Sequence, residues 1–385
     1  MLRYDAVVVG AGPAGSTASY LLADAGMRVA LIDKDSFPRD KLCAGLLSAK
    51  TEKIYRQVFG DGWQDLYEYT ASGARFFYRS RLLNEVDGYA RMYLTRRRVF
   101  DHRLLQRAVS KGVTFLPKCR VVSMDPVNSV VYLEDGTALR ADFIVGADGA
   151  LSRIARTIGL SIPKCDMAVA FEIEYPRRGM RADLDRPEIH FGVVPWGYGW
   201  VFPKQGSLTI GIAGLGSQGL SMRNSFGAFL KEVCGEIPPV KWKGHPIPLR
   251  NFKLRPGKGN VLLVGDAAGF VEPLTGEGIA FAIESASYAA RAILDAVAAG
   301  EAHGVAIRYR DYCRNLARFF KQAQRMRYLV FPAVSQKLFA WALERSKSVV
   351  YRYIDLAEGR IDYRDYLSFL LQKLQKRIIP IRLVG

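Results

Sequence analysis

Cysteine is scarce and scattered in this sequence. Cys43, Cys119, Cys165, Cys234 and Cys313 are odd in number and show no CxxC spacing. That argues against a disulfide framework or a zinc site and for a reducing, cytoplasmic setting. Histidine is scarcer still: His102, His190, His245 and His303 stand apart, without the spacing of a metal site. No apolar run is long enough to span a membrane, and the first nine residues lead straight into a strand instead of a signal peptide. Internal repeats and low-complexity linkers are missing, and 17 prolines beside 36 glycines belong to a globular chain. At 385 residues the chain exceeds one average domain, so a region appended to the principal domain is expected.

Acidic residues are few relative to basic ones. The net charge is +18, and residues 301–385 hold 17 Lys/Arg against 7 Asp/Glu. Such a surface can meet nucleic acid, anionic lipid headgroups or a phosphorylated small molecule. No recognition motif accompanies the charge, so nucleic acid is not an expected partner. Apolar stretches alternate with basic residues at 326–331 and 337–343. This is the pattern of amphipathic helix ends at an anionic membrane surface, and equally of ordinary solvated helix faces.

What the chain does have is glycine in two separated groups. Residues 4–9 read as an apolar strand, Gly10-Ala11-Gly12-Pro13-Ala14-Gly15 follows at once, residues 16–25 read as a helix stopped by Gly26, and a second strand at 28–32 delivers Asp33 and Lys34. This is the βαβ context in which such glycines bind a dinucleotide. Gly10 permits the turn, Gly12 lets the backbone approach a pyrophosphate, and Gly15 permits close helix packing. Asp33 accepts from an adenosine ribose. The second group, Gly265-Asp266-Ala267-Ala268-Gly269, ends a strand at 261–264, and Gly276, Gly278 and Ile279 then open a long helix at 279–299. Asp266 is suited to a ribityl hydroxyl, small Ala267 and Ala268 allow the chain to lie close, and the helix N-terminus is suited to the flavin N1/C2=O edge, where reduction places negative charge. Together the two groups point to FAD. Another apolar strand at 143–145 runs into Gly146-Ala147-Asp148-Gly149, a further loop to the cofactor.

Between these groups the texture changes. Arg96-Arg97-Arg98 opens a helix ending near Gly112, and short strands follow at 113–116, 120–124 (with Val122) and 130–133. Alternation then takes over in Val169, Phe171, Ile173; Ile189, Phe191, Val193; and Leu208, Ile210, Ile212, and residues 74–94 share it. Period two over several runs predicts an antiparallel sheet with one face covered. The organisation expected is α/β. A Rossmann-type FAD-binding domain (1–70, 95–160 and 250–300) is interrupted by an antiparallel substrate sheet (71–94 and 161–249), and a basic helical region (301–385) follows.

Lys41-Leu42-Cys43-Ala44-Gly45, Arg98, Asp148-Gly149 with Ser152 and Arg156, and Pro195-Trp196-Gly197-Tyr198-Gly199-Trp200-Val201-Phe202-Pro203 complete a set covering most of residues 1–300. With the glycine groups they resemble the geranylgeranyl reductase family, within the flavoproteins of the p-hydroxybenzoate hydroxylase fold. The chain departs at Ala44, where that family usually has glycine, and at Gly211-Ile212-Ala213, where it often has Gly-x-Gly. The resemblance implies an FAD-dependent reductase that saturates C=C bonds of a prenyl chain on a lipid, quinone or diphosphate, by hydride transfer from reduced flavin N5. It implies that Arg98 contacts FAD and that Cys43, flanked by Ala44 and Gly45, faces the isoalloxazine, as a proton donor or as a residue shaping the pocket. Tyr198, Trp200 and Phe202 alternate on one strand face and would wall an apolar tunnel. Two other readings keep the flavin: an aromatic monooxygenase or halogenase, and a non-catalytic flavin-binding protein. NAD(P)H, ferredoxin or a quinol could be the electron donor, since Gly211 to Gly216 lacks the helix and acid of a second dinucleotide unit. A prenyl substrate would bring peripheral association with the inner face of a membrane.

Overall fold

The computed structural model describes residues 1–178, 180, 183–215, 219–301 and 304–378; His303 and Gly216 lie outside them. It contains two eight-stranded sheets. In the first, Leu2–Val9 is central. Val29–Ile32 and then Thr114–Leu116 lie parallel on one side, and Ala138–Gly146 and then Val261–Leu263 lie parallel on the other. Ala6, Val7 and Val8 are fully buried, as expected of a parallel strand covered on both faces. The loops leaving these strands at Gly10, Asp33, Gly146 and Gly265 therefore converge on one edge, where doubly wound folds bind their ligands. The helix after the first loop starts at Pro13, three residues before the glycine-free stretch suggests, because proline suits a first helical turn.

The second sheet runs in the order Lys243–Ile247, Ala168–Pro176, Ser207–Leu215, Tyr198–Pro203, Glu188–Phe191, Tyr69–Tyr78, Arg81–Leu94, Leu46–Leu47. It is not wholly antiparallel as expected: Glu188–Phe191 pairs parallel with 75–78, because it arrives by a long connection and not through a hairpin. Nor is only one face covered. Ile173, Val201, Ile210 and Ile212 pack beneath Met222, Phe226, Phe229 and Leu230 of the helix Gly219–Cys234. The opposite face looks towards the first sheet.

Among its described residues the basic helical region forms five helices, Val305–Tyr312, Arg314–Val330, Ala333–Arg345, Lys347–Ala357 and Tyr363–Ile378. Their apolar sides, among them Phe339, Val350, Tyr353 and Ile354, pack on Phe76, Val86, Met92 and Phe191 of the second sheet. These helices thereby close the space between the sheets from one side.

Candidate functional site

That space is one continuous cavity of about 660 Å³, reaching from Gly10 and Asp33 at one end to Tyr353 and Phe331 at the other. At the first end Gly10 has φ +103°, and a β-carbon there would fall 2.4 Å from the Ala147 carbonyl oxygen. A β-carbon at Gly15 would fall 1.7 Å from the Gly10 oxygen, so the helix can seat against the loop only without a side chain. Gly12 differs, since its nearest neighbour would be Arg39 at 3.8 Å. Protein packing does not require a glycine there, and the bare position faces the cavity. Beside it the helix Pro13–Asp24 starts with no acidic residue in its first turn, leaving its positive end to an anion. Asp33 Oδ2 accepts from Ala11 N–H at 2.7 Å and Oδ1 from Asp35 N–H at 2.9 Å, which ties the loop to the second strand. Ala14 lines the same wall, and Lys34 lies exposed at its rim.

Asp148 and Gly149 line the cavity next to this loop. Asp148 accepts from Ser152 Oγ and from Arg153 N–H at 2.7 Å, capping the helix Arg153–Thr157; burial still holds its carboxyl above the usual range. Farther along, Asp266, Gly276, Gly278 and Ile279 line the wall. Gly278 caps the helix Ile279–Ala298, whose first N–H groups have no intrahelical partners. Ala267 is buried behind Asp266. Glu277 turns away from solvent and accepts from Ser48 Oγ and Thr51 Oγ1, tying this loop to the helix Ala49–Phe59.

Cys43, Ala44 and Gly45 form the facing wall. Gly45 has φ +78° and sits against Thr95, whose N–H donates to its oxygen at 2.8 Å. Cys43 N–H donates to Glu172 Oε1 at 2.9 Å, and Lys41 Nζ lies 2.6 Å from His245 Nε2. Burial and the neighbouring Lys41 push the imidazole down to about 4, so it is the neutral acceptor of the Lys41 ammonium, whose own pKa burial lowers. Burial pushes the Glu172 carboxyl up to about 7.

The inner face of the second sheet brings the remaining residues together in register. Tyr198, Ala213, Ala170 and His245 occupy one row across four strands. Ile189, Trp200, Gly211, Glu172 and Lys243 occupy the next. Each row is aromatic or aliphatic at one end and polar at the other. Tyr198 donates to the Thr275 carbonyl oxygen, so the aromatic row is tied to the loop before the helix Ile279–Ala298.

Arg98 and Val122, both candidates for contact with the cofactor, are not among the described residues that line the cavity. Arg98 is exposed on the helix Arg97–Ser110, and it is Arg97 that turns inward, donating to both Asp101 oxygens at 2.6 and 2.8 Å and reaching Cys43. One step along a helix rotates a side chain by about 100°, so three consecutive arginines do not reveal which faces in. Val122 sits at a bulge between Val121 and Ser123, its side chain 38% exposed and its carbonyl accepting from Arg153, while Val121 lines the cavity. Glu172, His245 and Lys41 were not expected at the site. The signal was the small-and-polar series Ala168, Ala170, Glu172, Glu174, which alternates with the apolar series on the same strand.

Residues 3–174 match the FAD binding domain. Over 319 residues the chain is 34% identical to digeranylgeranylglycerophospholipid reductase 1 of Methanopyrus kandleri, covering 77% of this chain and 82% of that protein. It is 26% identical to geranylgeranyl diphosphate reductase of Rhodobacter capsulatus, over 97% of this chain and 94% of that protein. Among solved structures, a geranylgeranyl bacteriochlorophyll reductase-like protein from Thermoplasma acidophilum aligns with a TM-score of 0.82 at 21% identity, covering 97% of this chain and 99% of the other. A flavin-dependent brominase aligns with a TM-score of 0.73 at 18% identity, covering 97% and 100%. The last two likenesses show the shared fold. The glycine cradle, the register of the cavity face and these relatives agree: the chain is an FAD-dependent oxidoreductase and belongs to the geranylgeranyl reductase family.

Proposed function

We propose that this protein saturates carbon–carbon double bonds in a prenyl chain of the geranylgeranyl type, carried on a lipid, quinone or diphosphate. The observation that carries this reading is the continuity of the cavity. The loops suited to FAD open directly onto a wall of Phe76, Ile189, Tyr198, Trp200, Tyr353 and Ile354, which suits a long apolar ligand more than a compact polar one. Bound FAD supplies hydride chemistry. The chain's own residues do the rest: Gly10, Gly12, Asp33 and Asp266 bind and orient the cofactor, the start of Ile279–Ala298 stabilises negative charge, and Tyr198 and Trp200 exclude water and align the alkene. Cys43 and its small neighbours set how closely the flavin ring approaches. NAD(P)H or ferredoxin fits as the source of electrons.

Among the described residues no helix is long and apolar enough to cross a membrane. We infer peripheral contact with an anionic bilayer instead. Val334 and Leu338 are 85% and 55% exposed, Tyr328 is 62% exposed, and Arg325, Lys337 and Arg345 are exposed on the same two helices.

The test is anaerobic: holoprotein reduced with dithionite is mixed with a geranylgeranyl phospholipid, and the lipid is analysed by mass spectrometry. Saturation appears as a gain of two hydrogens per bond reduced. Oxygen consumption stimulated by an aromatic substrate, with no change in the lipid, would instead favour the monooxygenase chemistry available to this fold.

A further inference from the structure

Glu172 is a carboxyl with one committed oxygen and one free oxygen. Oε1 accepts from the Cys43 N–H at 2.9 Å; Oε2 is buried and has no hydrogen-bond partner among the described residues. The side chain is 7% exposed and lines the cavity. Its row neighbour is Gly211, and the next is Trp200, whose indole lies over the glycine and whose Nε1 is also buried with no partner among the described residues. A polar position has thus been left open at the junction of the cysteine loop and the aromatic wall.

A buried carboxylate oxygen without a donor is costly, and the cost falls away when that oxygen carries a proton. Because Oε1 already accepts, the proton belongs on Oε2. The charges around it do not reverse this. Lys204 is held by Glu174, with Nζ 3.3 Å from Oε2 of that residue, and Lys243 is exposed. Lys41 is engaged with His245, and Arg97 with Asp101. Glu174 adds a like charge that favours the protonated form, as burial does.

We propose that Glu172 is the general acid of the reaction, delivering the Oε2 proton to the alkene carbon that does not receive hydride. This rests on the reductase reading above. The balance is simple. The π bond breaks, one carbon gains a hydride with its electron pair, the other gains a proton as the Oε2–H bond breaks, and the resulting carboxylate is reprotonated from water. Cys43 is then the residue whose main chain positions the acid.

The test uses wild-type holoprotein, Glu172→Gln and Glu172→Asp, each checked for flavin content. Single-turnover reoxidation of the reduced protein by geranylgeranyl diphosphate is followed without oxygen across a pH series. The wild-type rate should fall as pH rises through about 7, Glu172→Asp should keep a pH-dependent rate, and Glu172→Gln should be slower by about 100-fold with that dependence gone. Independently of turnover, infrared difference spectra between acid and alkaline pH should show a protonated-carboxyl C=O band that Glu172→Gln lacks. An unchanged rate and profile in Glu172→Gln, or a wild-type protein without that band, overturns the assignment while leaving the reductase reading intact. Wild-type protein that is never reoxidised by the prenyl substrate overturns the reductase reading and the donor role with it.

Discussion

The indole of Trp200 occupies the space that a side chain at Gly211 would need: a β-carbon built there would fall 2.3 Å from Trp200 Cζ2. The missing side chain is what lets an aromatic residue on one strand reach across its neighbour towards Glu172 on the next. Gly211→Ala should therefore displace the indole, destabilise the protein by about 1–3 kcal/mol and slow prenyl reduction. Denaturant unfolding and single-turnover kinetics measure the two effects separately.

Arg97 and Arg98 should behave oppositely. Asp101 is fully buried between Arg97 and Arg39, the latter at 3.2 Å. Removing one cation from such a group costs about 3 kcal/mol, so Arg97→Ala should lower stability strongly and weaken FAD retention. Arg98→Ala should change stability by less than about 0.5 kcal/mol. Equal effects in thermal melts of the two variants would contradict the orientation of this helix.

Burial of His245, with Lys41 beside it, makes stability depend on acid pH. The imidazole is pushed from 6.5 down to about 4, so between those values the unfolded chain binds a proton that the folded protein refuses. This contribution is complete above pH 6.5 and is lost as pH falls towards 4. His245→Gln should flatten that limb of the stability curve; an acid limb identical to the wild type would count against it.

Cys43→Ala should lower turnover while FAD stays bound. The bond to Glu172 comes from the main chain and survives the substitution, so any loss reports on the thiol itself. Unchanged single-turnover reduction would remove the thiol from the mechanism.

A doubly charged tip should release the protein from lipid. Val334→Asp with Leu338→Asp places acid on the exposed face of the helix Ala333–Arg345. Sedimentation with phosphatidylglycerol vesicles at low salt should fall at least several-fold with FAD content unchanged. Equal sedimentation of variant and wild type would exclude this face as the contact.

The nucleotide end of the site was legible because its determinants are local. A strand, a glycine turn and a helix start lie within a few residues of one another, and Gly10 and Gly15 answer backbone constraints there. The other end was less so. Cys43 meets Glu172 across 129 positions and Lys41 meets His245 across 204, and local periodicity carries no information about such pairs. Of the series Val169, Phe171 and Ile173 read as the covered face, Phe171 and Ile173 pack beneath Gly219–Cys234. That reading concealed the face with Ala170 and Glu172, which lines a cavity instead of packing on a helix. That Arg97 and Val121 line the cavity while Arg98 and Val122 do not is a matter of single-residue phase, fixed by a helix rotation in one case and a bulge in the other.

The order of the strands also bears on how the molecule comes into being. Leu2–Val9 is flanked by Ala138–Gly146, which is flanked in turn by Val261–Leu263, so the central sheet waits for partners far along the chain, and contacts of this range make folding slow. The far wall waits longer still, because Phe331 follows the helix Arg314–Val330 and Tyr353 and Ile354 belong to Lys347–Ala357. During synthesis the cofactor loops are present well before the apolar chamber exists, and the chamber closes only after the helix Lys347–Ala357 has left the ribosome.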